Sequence, residues 1–180
     1  TDLVVAIDDN AVVNLARLFN EENGRAYLVE KGVPENVIAQ LDLLGFSGIS
    51  NMLSCIKTAK YYEMDENDVM VTMLTDSMEL YRSRMHEMHQ EFGEYSEKDA
   101  AGDFARYLHG QSTDNMLELT YPERRRVHNL KYYTWVEQQG KTYAEIQEQW
   151  YAPNYWTDVQ KQADEIDELI VEFNKEVGIS

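Results

Sequence analysis

The run Val69-Met70-Val71-Thr72-Met73-Leu74 constrains this chain more than any other segment. It is apolar at every position but one and has the length of a strand. Continuous apolarity without alternation is the pattern of a strand covered on both faces, as in a parallel sheet flanked by helices. The run stops abruptly at Thr75-Asp76-Ser77, after which Met78, Tyr81, Met85 and Met88 recur at helical spacing. In open parallel sheets ligands sit beyond the carboxyl ends of the strands. A Thr-Asp-Ser turn at that place is therefore a candidate small-molecule site. A plain helix cap by Asp76 or Ser77 is the competing reading, and spacing does not separate the two.

The residues before the run alternate in the same way. Leu3 to Ile7 is a short β-branched stretch with the look of a buried strand, and Asp8 and Asp9 are N-cap candidates for the helix behind it. Val12, Leu15, Ala16 and Phe19 share a helical face, and Gly24 stands where a left-handed C-cap is wanted. Pro34 opens a second helix that Gly45 stops. Phe46-Ser47-Gly48-Ile49-Ser50 then leads as a turn into a third helix through Met52, Leu53, Ile56 and Tyr62.

Residues 91–180 show no strand pattern. Thr120-Tyr121-Pro122-Glu123 and Thr142-Tyr143-Ala144-Glu145 are capping boxes, and a last helix is expected from Trp156 to Val177. All three Trp and eight of the twelve Tyr fall in this half. Such aromatic density suits an extension packed on a sheet domain or a second subunit, or a self-contained helical core. The expected organisation is thus an α/β portion over residues 1–92, part of a helix-flanked parallel sheet, followed by an all-helical extension over residues 93–180.

Charge narrows the partners. Lys and Arg number 16 against 33 Asp and Glu, a net charge of −17 spread evenly over both halves. That balance argues against nucleic acid and against anionic membrane surfaces, and Arg124-Arg125-Arg126 is too short a patch to reverse it. No apolar run has the length of a membrane span. The single Cys55 fits a reducing compartment, so a cytoplasmic location is expected. The chain opens on Thr1 and a strand, without Met, as if cut from something longer.

The order of motifs resembles the C-terminal part of the pyridoxal-phosphate enzymes of fold type II, the cysteine synthase and cystathionine β-synthase family, which are tryptophan synthase β-like in fold. The residues that carry the resemblance are Ile7-Asp8-Asp9, Gly48-Ile49-Ser50-Asn51, Ile56-Lys57-Thr58-Ala59-Lys60-Tyr61-Tyr62, the run Val69–Leu74, and Thr75-Asp76-Ser77-Met78-Glu79-Leu80-Tyr81. Leu117–Thr120 and Tyr133–Gly140 look like a branch of that family with a helical C-terminal extension. Thr75 stands where the family has Pro, Met78 where it has Gly, Leu80 where it has Arg, and Asn51 where a second Ser is usual. A further helix is inserted between Gly24 and Gly48.

The resemblance implies pyridoxal 5'-phosphate as cofactor and β-elimination or β-replacement on an amino acid. It implies that Ser77 hydrogen-bonds the pyridine nitrogen, that Asp76 with Thr75 orients the turn, and that Gly48 and Ser50 line the substrate side. The family's Schiff-base lysine and Gly-rich phosphate loop lie earlier in its chain, and this sequence has no such loop. No catalytic residue is therefore placed here. The remainder of the enzyme is expected as partner, in a homo-oligomer. Lys57 and Lys60 read as solvated surface lysines, and His86 with His89 lacks a matched third ligand for a metal. The alternative is a non-catalytic binding or scaffold module that kept the fold.

Overall fold

In the computed structural model, which describes residues 1–179, the chain divides into two units, residues 3–118 and residues 1–2 together with the chain from Leu119 onward. The first unit is built around helix α1 (Asp9–Asn20). Asp8 caps it as the sequence indicates, its carboxylate accepting from the Asn10 amide at 2.9 Å. The apolar face of α1 meets α2 (Glu22–Glu30), α4 (Phe46–Tyr61), α6 (Glu97–Asp103) and a π-helical turn at Phe104–His109. Leu15, Leu18, Leu28, Ile49, Leu53, Ala100 and Tyr107 form one buried cluster there. Burying a side chain of Leu or Ile size contributes roughly 1.5–3 kcal/mol each, so this cluster is the main term holding the unit together. Residues 93–118 belong to it through Tyr95, Ala100 and Tyr107.

The parallel, helix-flanked sheet expected from the sequence is absent among the described residues. The sheet has two strands, β1 (Leu3–Val5) and β2 (Met116–Glu118), and they pair antiparallel with Val4 opposite Leu117. β2 is also a strand in the half read as purely helical. The run Val69–Leu74 is not a strand but a surface segment without regular structure, with Val69 83%, Val71 84% and Met73 73% exposed. The reason is physical. A strand covered on both faces needs a helical layer on each face and a neighbouring strand to bond to, and neither β1 nor β2 pairs with this run. Apolarity raises the gain from being covered without supplying the neighbour.

Two glycines read as helix stops do other work. Gly24 lies inside α2, where a Cβ would come within 2.2 Å of the Leu18 carbonyl oxygen. It is the residue that lets α2 approach the end of α1. Gly45 is the N-cap of α4, so Gly48-Ile49-Ser50 is the first turn of that helix and not a turn before it. Between them α3 (Glu35–Ile38) and a 3-10 turn at Leu41–Leu43 complete the inserted segment. A 3-10 turn at Met78–Tyr81 runs into α5 (Arg82–Phe92).

The second unit is helical: α7 (Tyr121–Asn129), a π-helical turn at Tyr132–Val136, α8 (Tyr143–Tyr151), α9 (Tyr155–Lys161) and α10 (Ala163–Glu176). The expected single helix from Trp156 is two helices that meet at Gln162. The Thr142 box is reciprocal: its hydroxyl accepts from the Glu145 amide while the Glu145 carboxylate accepts from the Thr142 amide. α7 is tied to α8 by Trp150 Nε1 donating to the Tyr121 hydroxyl. His128 Nε2 also meets the Ile146 carbonyl oxygen at 2.9 Å. No helix among the described residues is long and apolar enough to cross a membrane.

Candidate functional site

The turn at residues 74–77 lies against the N-terminus of α4. The Gly45 amide donates to the Asp76 carbonyl at 3.0 Å, and Asn51 Nδ2 donates to the Met73 carbonyl at 3.0 Å. The approach is close because position 45 has no side chain: a Cβ there would sit 2.3 Å from Asp76 Oδ1. Gly48 serves the same approach one turn on, where a Cβ would meet Leu44 and Leu74 side chains at 3.3 and 3.7 Å. Four of the five residues singled out from the sequence (Gly48, Thr75, Asp76 and Ser77) thus come to this juncture. Ser50 lies further along α4, and the contact fixed for it is its carbonyl accepting from the Ser54 hydroxyl.

Asp76 is held on both sides. The Thr75 hydroxyl donates to Oδ1 at 3.3 Å and the Tyr81 hydroxyl donates to Oδ2. That second bond raises the Tyr81 phenol above its ordinary value, because losing the proton would set two negative charges face to face. Tyr81 is placed by an edge contact with Phe46, ring centroids 4.7 Å apart. A carboxylate fixed in this way orients a turn. It is not a free base.

Ser77 is different. It starts the 3-10 turn without capping it, and no hydrogen bond among the described residues engages its hydroxyl. It faces a cavity of about 390 Å3 whose other polar walls include Asn20, Asp42, Glu79 and Arg82. The Arg82 guanidinium donates to Glu79 at 3.3 Å, and both side chains are exposed. One paired cation with two carboxylates is a poor seat for a phosphate.

Sequence reasoning did not find Gly45, Tyr81 or Asn51 in these roles. Gly45 reads as a helix stop, and Tyr81 meets Asp76 only because the residues between form a 3-10 turn. Asn51 is visible as a departure from the resembled motif, but its bond to Met73 depends on the α4 register. The lysines also need correction. Lys60 is exposed, donating to the Gln111 carbonyl at 2.6 Å, whereas Lys57, expected in solvent, is buried and donates to Asp114 at 2.9 Å. No three His, Cys, Asp or Glu side chains gather as a metal site among the described residues. Comparison with protein-family models, curated proteins and solved structures gives no match.

Proposed function

We propose that this chain supplies the ring-side residues of a pyridoxal-phosphate-dependent enzyme acting on an amino acid by β-elimination or β-replacement. The observation that carries the reading is Ser77, which lines a cavity beside the juncture of the Thr75–Ser77 turn with the N-terminus of α4 and whose hydroxyl is unengaged among the described residues. Bound there, the cofactor would act as an electron sink for the substrate's α-carbanion. The residues present fit one edge of that group. Ser77 would share a hydrogen bond with the ring nitrogen, and a neutral hydroxyl leaves that nitrogen unprotonated where a carboxylate would hold a proton on it. Asp76, fixed by Thr75 and Tyr81, would hold the turn in place.

Among the described residues neither a phosphate cradle nor a lysine lines this cavity. The reading therefore requires another polypeptide, carrying the Schiff-base lysine and the phosphate loop, in a cytoplasmic assembly. The fold expected with this chemistry does not carry over, and the reading rests on the residues of the Thr75–Ser77 turn alone. The test is the native assembly with Ser77→Ala. The expected result is a bound pyridoxal-phosphate chromophore whose absorbance shifts in the variant, with loss of amino-acid turnover and little change in stability. An assembly with no pyridoxal phosphate overturns the reading.

A second reading, a non-catalytic interaction module, is favoured by α10. Ile166, Leu169, Ile170, Val171 and Phe173 are all exposed on it, an apolar surface suited to a partner. Under that reading Ser77→Ala changes nothing but a slight shift in stability.

A further inference from the structure

The unit from Leu119 onward holds a cavity of about 430 Å3 between α7 and α8, within the range that encloses small ligands. One wall is aromatic: Tyr121 and Trp150 meet edge-on with centroids 5.6 Å apart, and His128 leans on Trp150 at 5.1 Å. The other wall is cationic, from Arg124 and Lys131. This is a local reversal of sign in an acidic chain. Residues 120–141 contain five Lys and Arg against two carboxylates, in a sequence of net charge −17.

Lys131 has no carboxylate partner among the described residues. Its ammonium donates to Gln149 Oε1 at 2.7 Å and lies over the rings of Trp135 and Trp156 at 5.5 and 5.8 Å. Burial pulls its pKa down, the direction expected of a cation whose neighbours do not neutralise it. Arg124 is half used. Nη1 donates to Asp2 at 2.7 Å, while Nε is buried and finds no acceptor among the described residues. Arg124, with its buried unpaired donor, and Lys131, with no anion among the described residues, both line the cavity.

We propose that this cavity binds a one-ring aromatic carboxylate. The ring would stack in the Tyr121–Trp150 wall and the carboxylate would take the Lys131 ammonium, with the second N–H of Gln149 Nε2, whose first donates to the Tyr155 hydroxyl at 3.3 Å, as a further donor. The aromatic wall chooses a carboxylate carried on a ring over inorganic phosphate, which has no apolar face to set against Tyr121 and Trp150. An uncharged ring would leave Lys131 uncompensated in a site emptied of water.

The experiment is calorimetric titration of the 180-residue chain with phenylacetate, phenylacetamide and inorganic phosphate in parallel. Phenylacetate is expected to bind, and phenylacetamide and phosphate at least about tenfold more weakly. Lys131→Met is expected to weaken phenylacetate about tenfold or more, and so is Gln149→Glu, which sets an internal carboxylate on the ammonium. The second variant keeps the test intact where the first disturbs folding. Equal binding of acid and amide, phosphate binding as tightly as phenylacetate, no phenylacetate binding below about 10 mM, or parental affinity in both variants overturns the proposal.

Discussion

The Lys57 ammonium donates to the Asp114 carboxylate at 2.9 Å across an unequal boundary, the lysine side chain 5% exposed and the aspartate 65%. Asp114 is held below its ordinary carboxylate value by bonds from Ser112 and Lys57. The asymmetry decides which partner matters more. Asp114→Ala leaves a buried ammonium unpaired, whereas Lys57→Met removes the charge and keeps the stem that packs in α4. Lys57→Met is expected to stay within about 1 kcal/mol of the parent in chemical denaturation. Asp114→Ala is expected to be the more destabilising change. The reverse order would place Lys57 in solvent.

Gly24 and Gly45 separate backbone collision from side-chain collision. A Cβ at Gly24 meets the Leu18 backbone and forces α1 and α2 apart, whereas one at Gly45 meets chiefly the Asp76 carboxylate. Gly45→Ala is expected to cost about 1–2 kcal/mol, and Gly24→Ala about 3 kcal/mol or more, since overpacking costs most where nothing can rotate away. Adding Asp76→Ala to Gly45→Ala should recover part of the loss. Thermal midpoints of the three variants check the order, and a Gly24→Ala protein as stable as the parent refutes it.

These corrections show what the sequence could carry. Local rules held where a side chain acts on its own backbone, as with Asp8 at α1 and Thr142 at α8. Pairing rules failed, because Val69–Leu74 announces a need for cover but not which strand supplies it. β1 found its partner at Met116–Glu118, a segment without strand-like periodicity. The Thr75–Ser77 turn was legible as a polar stop after an apolar run. That Gly45 admits Asp76, and that Tyr81 returns to it, depends on a helix register and a 3-10 turn that no spacing rule encodes.

The capping boxes set an acid limb. Asp99 and Glu145 are pulled below their ordinary values of 3.8 and 4.5, chiefly by hydrogen bonds from Ser96 and Thr142 respectively. A carboxylate whose folded pKa is depressed contributes stability above its unfolded pKa and loses it as pH falls through the folded value. The parent should therefore lose stability progressively below about pH 5. Ser96→Ala and Thr142→Ala should each cost about 1 kcal/mol at neutral pH. The double variant should also show a shallower acid limb in urea titrations at stepped pH. An unchanged slope would remove the boxes from the cause.

The run Val69–Leu74 stands exposed on its unit. Val71 and Met73 project into solvent, and no backbone–backbone hydrogen bond engages residues 69–75 among the described residues. Nothing inside the unit is lost when these side chains become charged, so Val71→Lys with Met73→Lys should leave the free chain within about 0.5 kcal/mol of the parent. Free backbone donors beside apolar side chains also template association between copies, which a lysine pair on the edge opposes. Sedimentation across a concentration series should show less self-association in the variant. In the assembly required by the proposed function, the same pair should release the partner polypeptide, because two lysines would have to be desolvated where valine and methionine were covered. A free chain strongly destabilised by the substitutions would show that the run is packed internally, and this prediction would fall with it.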